Sequence, residues 1–268
     1  MSHYLYGANV QANGIRQHYL RYGGKGLPVI LIPGITSPAV TWGFVAERLG
    51  RTCDVYVLDI RGRGLSEASA TLDYSLDAQA ADVAAFAVAI GLERYTVVGH
   101  SMGGRIAIRM ARQFKPQALE RLVLIDPPVS GPGRREYPSG LPWYVDSIRL
   151  SLKGMDADAM RTFCPTWTLE QLRLRAEWLA TCDERAIVAS YEGFQNDDIH
   201  QDLPHIDVPT LLMVASRGNV LLPEDITEIQ QLMPDVTVVR VEDAGHMIPW
   251  DNEEAFYRAF GDSLGLSV

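Results

Sequence analysis

A serine set among glycines in Gly99-His100-Ser101-Met102-Gly103 is the best-placed nucleophile in this 268-residue chain. The run is entered from the apolar stretch Tyr95-Thr96-Val97-Val98 and continued by Gly104-Arg105-Ile106-Ala107-Ile108-Arg109, so a strand must feed a helix through a very tight turn. Such a turn needs glycine where side chains would collide, and it lifts the serine out as an exposed nucleophile. A serine hydroxyl is weak at neutral pH. It requires a base within hydrogen-bond reach and a third group that fixes the base's tautomer. Histidine is the expected base, and the chain has six: His3, His18, His100, His200, His205 and His246. Only His246 follows the last strand-like run, in Ala244-Gly245-His246-Met247-Ile248-Pro249-Trp250, a loop leading into the terminal helix. His100 is expected to shape the turn rather than react, and the other four read as surface or satisfied polar residues.

These residues must be held by an ordered framework. Strand-like runs occur at 15–22, 29–32, 55–58, 95–98, 122–125, 210–214 and 236–241, most of them short and apolar throughout. Helix-patterned segments lie between them at 42–49, 76–90, 102–114, 224–232 and 253–260. Such alternation predicts a mainly parallel sheet covered by helices on both faces. Asn13-Gly14 and Gly23-Gly24 supply turns with no helix between them, which predicts an antiparallel hairpin at the start. Ser75 is suited to cap the alanine-rich helix and Gly91 to end it. From Pro127 to about Pro209 no buried strand is apparent, and the aromatics Trp143, Tyr144, Trp167, Trp178, Tyr191 and Phe194 fall on helix-like stretches with polar faces. The expected organisation is a core of 1–127 and 206–268 with an inserted helical cap of 128–205. The cap's entry, Pro127-Pro128-Val129-Ser130-Gly131-Pro132-Gly133, is too rich in proline and glycine to continue a helix or a central strand.

Bulk properties narrow the function. A net charge of -9 gives no general attraction for nucleic acid or an anionic membrane, so the expected partner is a small molecule. No run approaches the roughly 18 to 20 apolar residues of a membrane span, and the N-terminus lacks a signal-peptide pattern; the expected location is cytoplasmic. Three widely spaced cysteines, Cys53, Cys164 and Cys182, argue against a disulfide framework and are expected as free thiols. No His/Asp/Cys cluster has ligand spacing, so neither a metal nor an organic cofactor is implied.

The layout as a whole resembles the α/β-hydrolase superfamily over essentially the full chain. Besides the serine turn and His246, the matching motifs are Pro33-Gly34-Ile35-Thr36 after the third strand, with Pro33 where the family commonly has histidine, and Asp59-Ile60-Arg61-Gly62-Arg63-Gly64-Leu65-Ser66 after the fourth. The resemblance implies an α/β-hydrolase fold: a mostly parallel eight-stranded sheet with helices on both faces and an inserted helical cap. It also implies the chain order nucleophile, acid, histidine, which selects His246 as the base of Ser101. An oxyanion hole built from the backbone N–H groups of Met102 and Ile35 is implied as well. The Asp59–Ser66 segment is expected to be a structural turn held by Asp59 and Arg61.

The family usually places its acid just after the strand that follows the cap. Here that stretch is Val214-Ala215-Ser216-Arg217-Gly218-Asn219-Val220, which contains no carboxylate. The charge must come from elsewhere, and some members of the superfamily use a position after the preceding strand. Asp126 ends that strand, Leu122-Val123-Leu124-Ile125, at the edge of the sheet where the serine turn also opens, and it is the expected acid. Glu224, Asp225 and Asp243 compete for the role.

Within the superfamily the chain most resembles the N-formylmaleamate deformylases of bacterial nicotinate breakdown. The residues concerned are Pro33 to Pro38, the Asp126 placement, and the run from Pro127 through Arg134-Arg135 to Leu141-Pro142-Trp143-Tyr144-Val145-Asp146. The resemblance implies hydrolysis of an N-formyl amide through a formyl-enzyme. A substrate carrying a carboxylate would gain from a cation in the cap, for which Arg134 and Arg135 are the nearest candidates in sequence. Trp143, Tyr144 and Trp167 are candidates to line the pocket, with Thr36 and Ser37 as further polar candidates. A carboxylesterase or carbon-carbon bond hydrolase would use the same triad, and a small-molecule receptor on a hydrolase scaffold is the non-enzymatic alternative. Haloalkane dehalogenase and epoxide hydrolase chemistry need a carboxylate nucleophile, against which Ser101 counts.

Overall fold

The computed structural model describes residues 2–261; residue 1 and residues 262–268, the outer ends of the expected core range, lie outside the described residues. Eight strands form one sheet: β1 Tyr4–Ala12, β2 Ile15–Tyr22, β3 Leu27–Ile32, β4 Cys53–Leu58, β5 Tyr95–His100, β6 Leu119–Ile125, β7 Thr210–Ala215 and β8 Thr237–Val241, in the order β1-β2-β4-β3-β5-β6-β7-β8. From β4 to β8 every neighbouring pair is parallel, while β1 and β2 form the antiparallel hairpin and β2 runs antiparallel to β4. The hairpin turns at Asn13-Gly14. Gly23-Gly24, expected to serve a similar turn, instead carries the chain past β4, because β3 pairs with β4 and β5 and not with β2.

No strand-like run was expected at β1. Its side chains are mostly solvated, with Gly7, Asn9 and Gln11 breaking the apolar pattern, whereas β4, β5 and β7 are buried at every position. An edge strand lacks the apolar run that makes a central parallel strand legible.

The order of strands fixes where helices and ligands go. Chain growth moves from β3 to β4 in one direction and from β4 past β3 to β5 and onward in the other. Right-handed crossovers therefore put α1, Gly43–Leu49, on one face, and α2, Leu76–Ala89, with α3, Met102–Phe114, on the opposite face. The terminal helix, Glu253–Phe260, joins α1, where Arg48 pairs with Glu254 and lies 4.0 Å above the Tyr257 ring. Ser75 caps α2 by accepting from the Ala78 N–H, and Gly91 follows it with φ 72°, as expected. The crevice between the C-terminal ends of β3 and β5, where the direction reverses, is the general ligand position in such sheets. The loops that start at Pro33 and Ser101 both open there.

Between β6 and β7 the chain leaves the sheet for four helices: α4 Leu141–Ser151, α5 Ala157–Met160, α6 Leu169–Trp178 and α7 Glu184–Asn196. Three buried arginines tie these helices to the sheet. Arg63 donates to the Ala186 carbonyl and Ser190 Oγ of α7 at 3.2 and 2.7 Å, and Arg105 to the carbonyls of Gly193 and Asp197 at 3.0 and 2.7 Å. From the cap side, Arg175 of α6 donates to the Thr36 carbonyl and Oγ1 at 3.1 and 3.0 Å. None of the three forms an ion pair among the described residues. Each satisfies carbonyl groups that burial would otherwise strand, a charge-assisted bond worth about 1.5–3 kcal/mol.

Candidate active site

The serine turn has the backbone its sequence demands. Ser101 adopts φ 53° and ψ -119°, a conformation that costs a non-glycine residue on the order of 1–3 kcal/mol. The turn closes because its glycines have no Cβ: one at Gly99 would lie 2.3 Å from the Gly103 carbonyl oxygen, and one at Gly103 would lie 2.1 Å from that of Ile32. The Ser101 N–H is anchored on the Ile125 carbonyl of β6 at 2.9 Å.

Three side chains converge on this turn. His246, in the loop after β8, places Nε2 2.9 Å from Ser101 Oγ and Nδ1 2.7 Å from Asp126 Oδ2. Asp126 is fully buried directly beyond β6, with φ 46°, and its N–H is bonded to the Met213 carbonyl of β7 at 2.9 Å. A carboxylate only accepts hydrogen bonds, so Nδ1 carries the proton and Nε2 presents its lone pair to the serine hydroxyl. The competing carboxylates are occupied elsewhere. Asp225 accepts from the Leu222 N–H at the start of α8, Pro223–Leu232, and pairs with Arg135 at 2.5 Å; Glu224 is exposed in the first turn of that helix; Asp243 sits in a turn with φ 56°.

The His246 loop is held from behind. His100 Nε2–H donates to the His246 carbonyl at 3.0 Å, and burial depresses the imidazole pKa to about 3, with the nearby His246 ring adding to the effect, so His100 stays neutral. The Gly245 N–H donates to Asp251 Oδ2 at 2.8 Å. Trp250 packs edge-on against Trp42 at 4.9 Å and stacks on Trp167 of the cap at 4.9 Å with 9° between planes.

The expected oxyanion donors lie on the two loops that open at this crevice. Met102 is the first residue of α3, where a helix leaves its N–H groups without intrahelical acceptors. Ile35 lies in the loop after β3. Arg63 connects the two: Nε donates to the Ile35 carbonyl at 3.0 Å and Nη2 approaches Met102 Sδ at 3.5 Å. Arg63 is wholly enclosed, and desolvation lowers its pKa to about 10, which leaves it charged at neutral pH. The Asp59–Ser66 turn is held by Asp59 accepting from the Leu65 N–H at 3.1 Å and by Arg61 pairing with Asp82 at 2.5 Å, while Asp59 also accepts from the Ala39 N–H at 2.6 Å.

The pocket candidates separate into two groups. Thr36 is buried and bonded to Arg175, whose guanidinium lies 5.9 and 5.5 Å from the Trp143 and Trp167 ring centres. Tyr144 is buried, with its hydroxyl 3.1 Å from that of Tyr137, which in turn lies beside Ser101 and Asp126. Arg134 and Arg135 do not join them. Arg134 makes two bonds to Glu228 at 2.7 and 2.8 Å, and Arg135 binds Asp225 and the Asn219 and Val220 carbonyls, so both bind α8 and the loop before it. Sequence reasoning missed Tyr137, a lone aromatic in a proline- and glycine-rich loop, and Arg175, one of two arginines on α6. Neither carries a local signal of its placement. Among the described residues, no helix is long and apolar enough to cross a membrane.

The sheet order, the strained serine turn and the hydrogen-bonded Ser101, His246 and Asp126 are the features of the α/β hydrolase fold. The model of that family matches residues 28–253, and the chain belongs to it. The chain is 63% identical over 264 residues to an N-formylmaleamate deformylase of Pseudomonas putida, covering 98% of each protein. Its structure superposes with a TM-score of 0.91 on that of an N-formylmaleamic acid deformylase from Pseudomonas putida, at 57% identity over 95% of this chain and 99% of that one. A carbamate hydrolase-like protein of Yersinia enterocolitica, RutD, described as putative, is 27% identical over 89% of this chain and 88% of its own length.

Proposed function

We propose that the chain is a serine hydrolase that cleaves N-formylmaleamate to formate and maleamate. The carrying observation is the Ser101–His246–Asp126 relay, with contacts of 2.9 and 2.7 Å, in a chain 63% identical over nearly its whole length to such a deformylase. In this reading His246 Nε2 takes the Ser101 proton as Oγ attacks the formyl carbon. The formyl oxygen becomes an oxyanion, stabilised by the Met102 and Ile35 N–H groups. Collapse of the tetrahedral species breaks the carbon-nitrogen bond, and the histidinium returns its proton to the departing amide nitrogen, releasing maleamate. Water, deprotonated by His246, then attacks the formyl ester; formate leaves and the proton returns to Ser101 Oγ. Asp126 holds the tautomer and balances the imidazolium in both halves. Tyr137 and Tyr144 contribute an enclosed wall beside the nucleophile.

The test is formate release from N-formylmaleamate by the purified protein, with Ser101→Ala as the blank and a short-chain p-nitrophenyl ester run in parallel. Ser101-dependent formate release supports the reading. Ester cleavage without formate release keeps the triad and rejects the substrate, and inactivity on both returns the chain to a receptor role.

A further inference from the structure

Of the three buried arginines that tie cap to core, Arg63 has all three nitrogens on neutral acceptors and Arg105 has both terminal nitrogens on two carbonyls each. Arg63 binds Ile35, Arg61, Ala186 and Ser190, and Arg105 binds the carbonyls of Pro128, Ser130, Gly193 and Asp197. Arg175 differs. It is only 3% exposed, both of its terminal nitrogens bind Thr36, and its buried Nε–H has no acceptor in hydrogen-bond geometry, the Cys164 thiol lying beside the guanidinium. A buried N–H left without a partner costs about 1–3 kcal/mol. The cationic head also has no carboxylate partner among the described residues, whereas Arg134, Arg135, Arg149 and Arg185 each have one.

We infer that Arg175 is the residue that binds the carboxylate of the substrate, an assignment that rests on the deformylase reading above. Nε–H and one Nη2–H form a side-on fork matched to the two oxygens of a carboxylate, and the Nε half of that fork is the part without a hydrogen-bond acceptor. Trp143 and Trp167 flank the guanidinium and keep water from it, which strengthens a charge-assisted bond there. Two routes tie Arg175 to the reacting centre. Thr36 is the neighbour of Ile35 in the oxyanion loop, and Trp143, over whose ring Arg175 lies, packs edge-on against Tyr144, whose hydroxyl is 3.1 Å from that of Tyr137 beside Ser101. In a chain of net charge -9 an anion needs such a local cation to enter at all.

The test reads carboxylate discrimination. Ester hydrolysis by the wild-type protein is inhibited with maleamate and, separately, with its uncharged analogue maleamide. Maleamate is expected to bind about 100-fold more tightly, the value of one charge-assisted carboxylate contact. In Arg175→Gln that ratio is expected to fall to about threefold or less, and kcat/KM for N-formylmaleamate to fall relative to the ester, chiefly through KM; Arg175→Lys restores part of it. Equal inhibition by the two compounds in the wild type overturns the assignment without need of a folded variant. A ratio preserved in Arg175→Gln overturns it as well, since the carboxylate is then read elsewhere. Discrimination that depends on Arg175, with no formate released from N-formylmaleamate, upholds the anion site and rejects the deformylase reading. Formate release with no discrimination does the reverse.

Discussion

Asp126→Asn removes the negative charge from the relay while keeping its shape. The Nδ1 to Oδ2 separation is 2.7 Å, so an imidazolium formed in the transition state interacts with the carboxylate by about 6 kcal/mol at an effective dielectric of about 20. That corresponds to a fall in kcat of about four powers of ten, because each 1.36 kcal/mol is tenfold. The neutral amide also turns a donor toward Nδ1 and favours the wrong tautomer. Asp126 is wholly buried, so water cannot substitute for it. The structure further shows the nearest backbone position for a replacement charge. A Cβ built on Gly218, in the stretch after β7 where the family usually carries its acid, lies 3.6 Å from Asp126 Oδ2, and Gly218 does not have a left-handed backbone. Asp126→Asn combined with Gly218→Asp is therefore expected to recover about two of the four lost powers, the shortfall arising because the new Cβ would sit 2.8 Å from that of Ala215. Steady-state formate release by the two variants, with folding checked by circular dichroism, makes the measurement. An Asp126→Asn enzyme within tenfold of wild type would refute the assignment of the acid.

Other expectations follow from single contacts. Arg63→Met strands the Ile35, Arg61 and Ala186 carbonyls, so unfolding by urea is expected to show a loss of about 3 kcal/mol, and kinetics a fall in kcat larger than any rise in KM because the oxyanion loop loses its support. His100 titrates near 3 when folded and near 6.5 when unfolded, so its contribution to stability is complete above about pH 6.5 and is lost as pH falls toward about 3, at up to about 1.4 kcal/mol per unit. Urea midpoints of His100→Gln measured at pH 7, 6 and 5 are expected to fall less steeply than those of the wild type. Arg134→Ala breaks a partly exposed pair with Glu228 and is expected to change KM for N-formylmaleamate by less than about threefold; a larger rise would place that arginine at the substrate.

What could be read from the sequence divides along a physical line. The β5 turn and α3 were legible because their requirements are local: the glycines at 99 and 103 answer to atoms a few residues away or in the neighbouring strand, and the apolar runs of the parallel strands are long enough to recognise. Asp126 was legible because the stretch after β7 holds no carboxylate, while the end of β6, the alternative position used by some members of the superfamily, holds one beside the serine turn. The substrate-binding cations were not. Arg134 and Arg135 stand close to the end of β6 in sequence, but a proline-rich loop carries them to carboxylates of α8, and the cation we assign to the substrate arrives from α6. Nothing in the spacing of Arg173 and Arg175 distinguishes the second, since its isolation from carboxylates is a property of the cap's packing on Thr36 and not of its neighbours in the chain. Chemistry that depends on a strand end was thus fixed by local residues, while specificity depends on tertiary contacts between cap and core. On the assignment proposed above, the strand ends of this chain carry Ser101, Asp126 and His246, while the cation that meets the substrate's charge is brought to them by the cap's packing on Thr36.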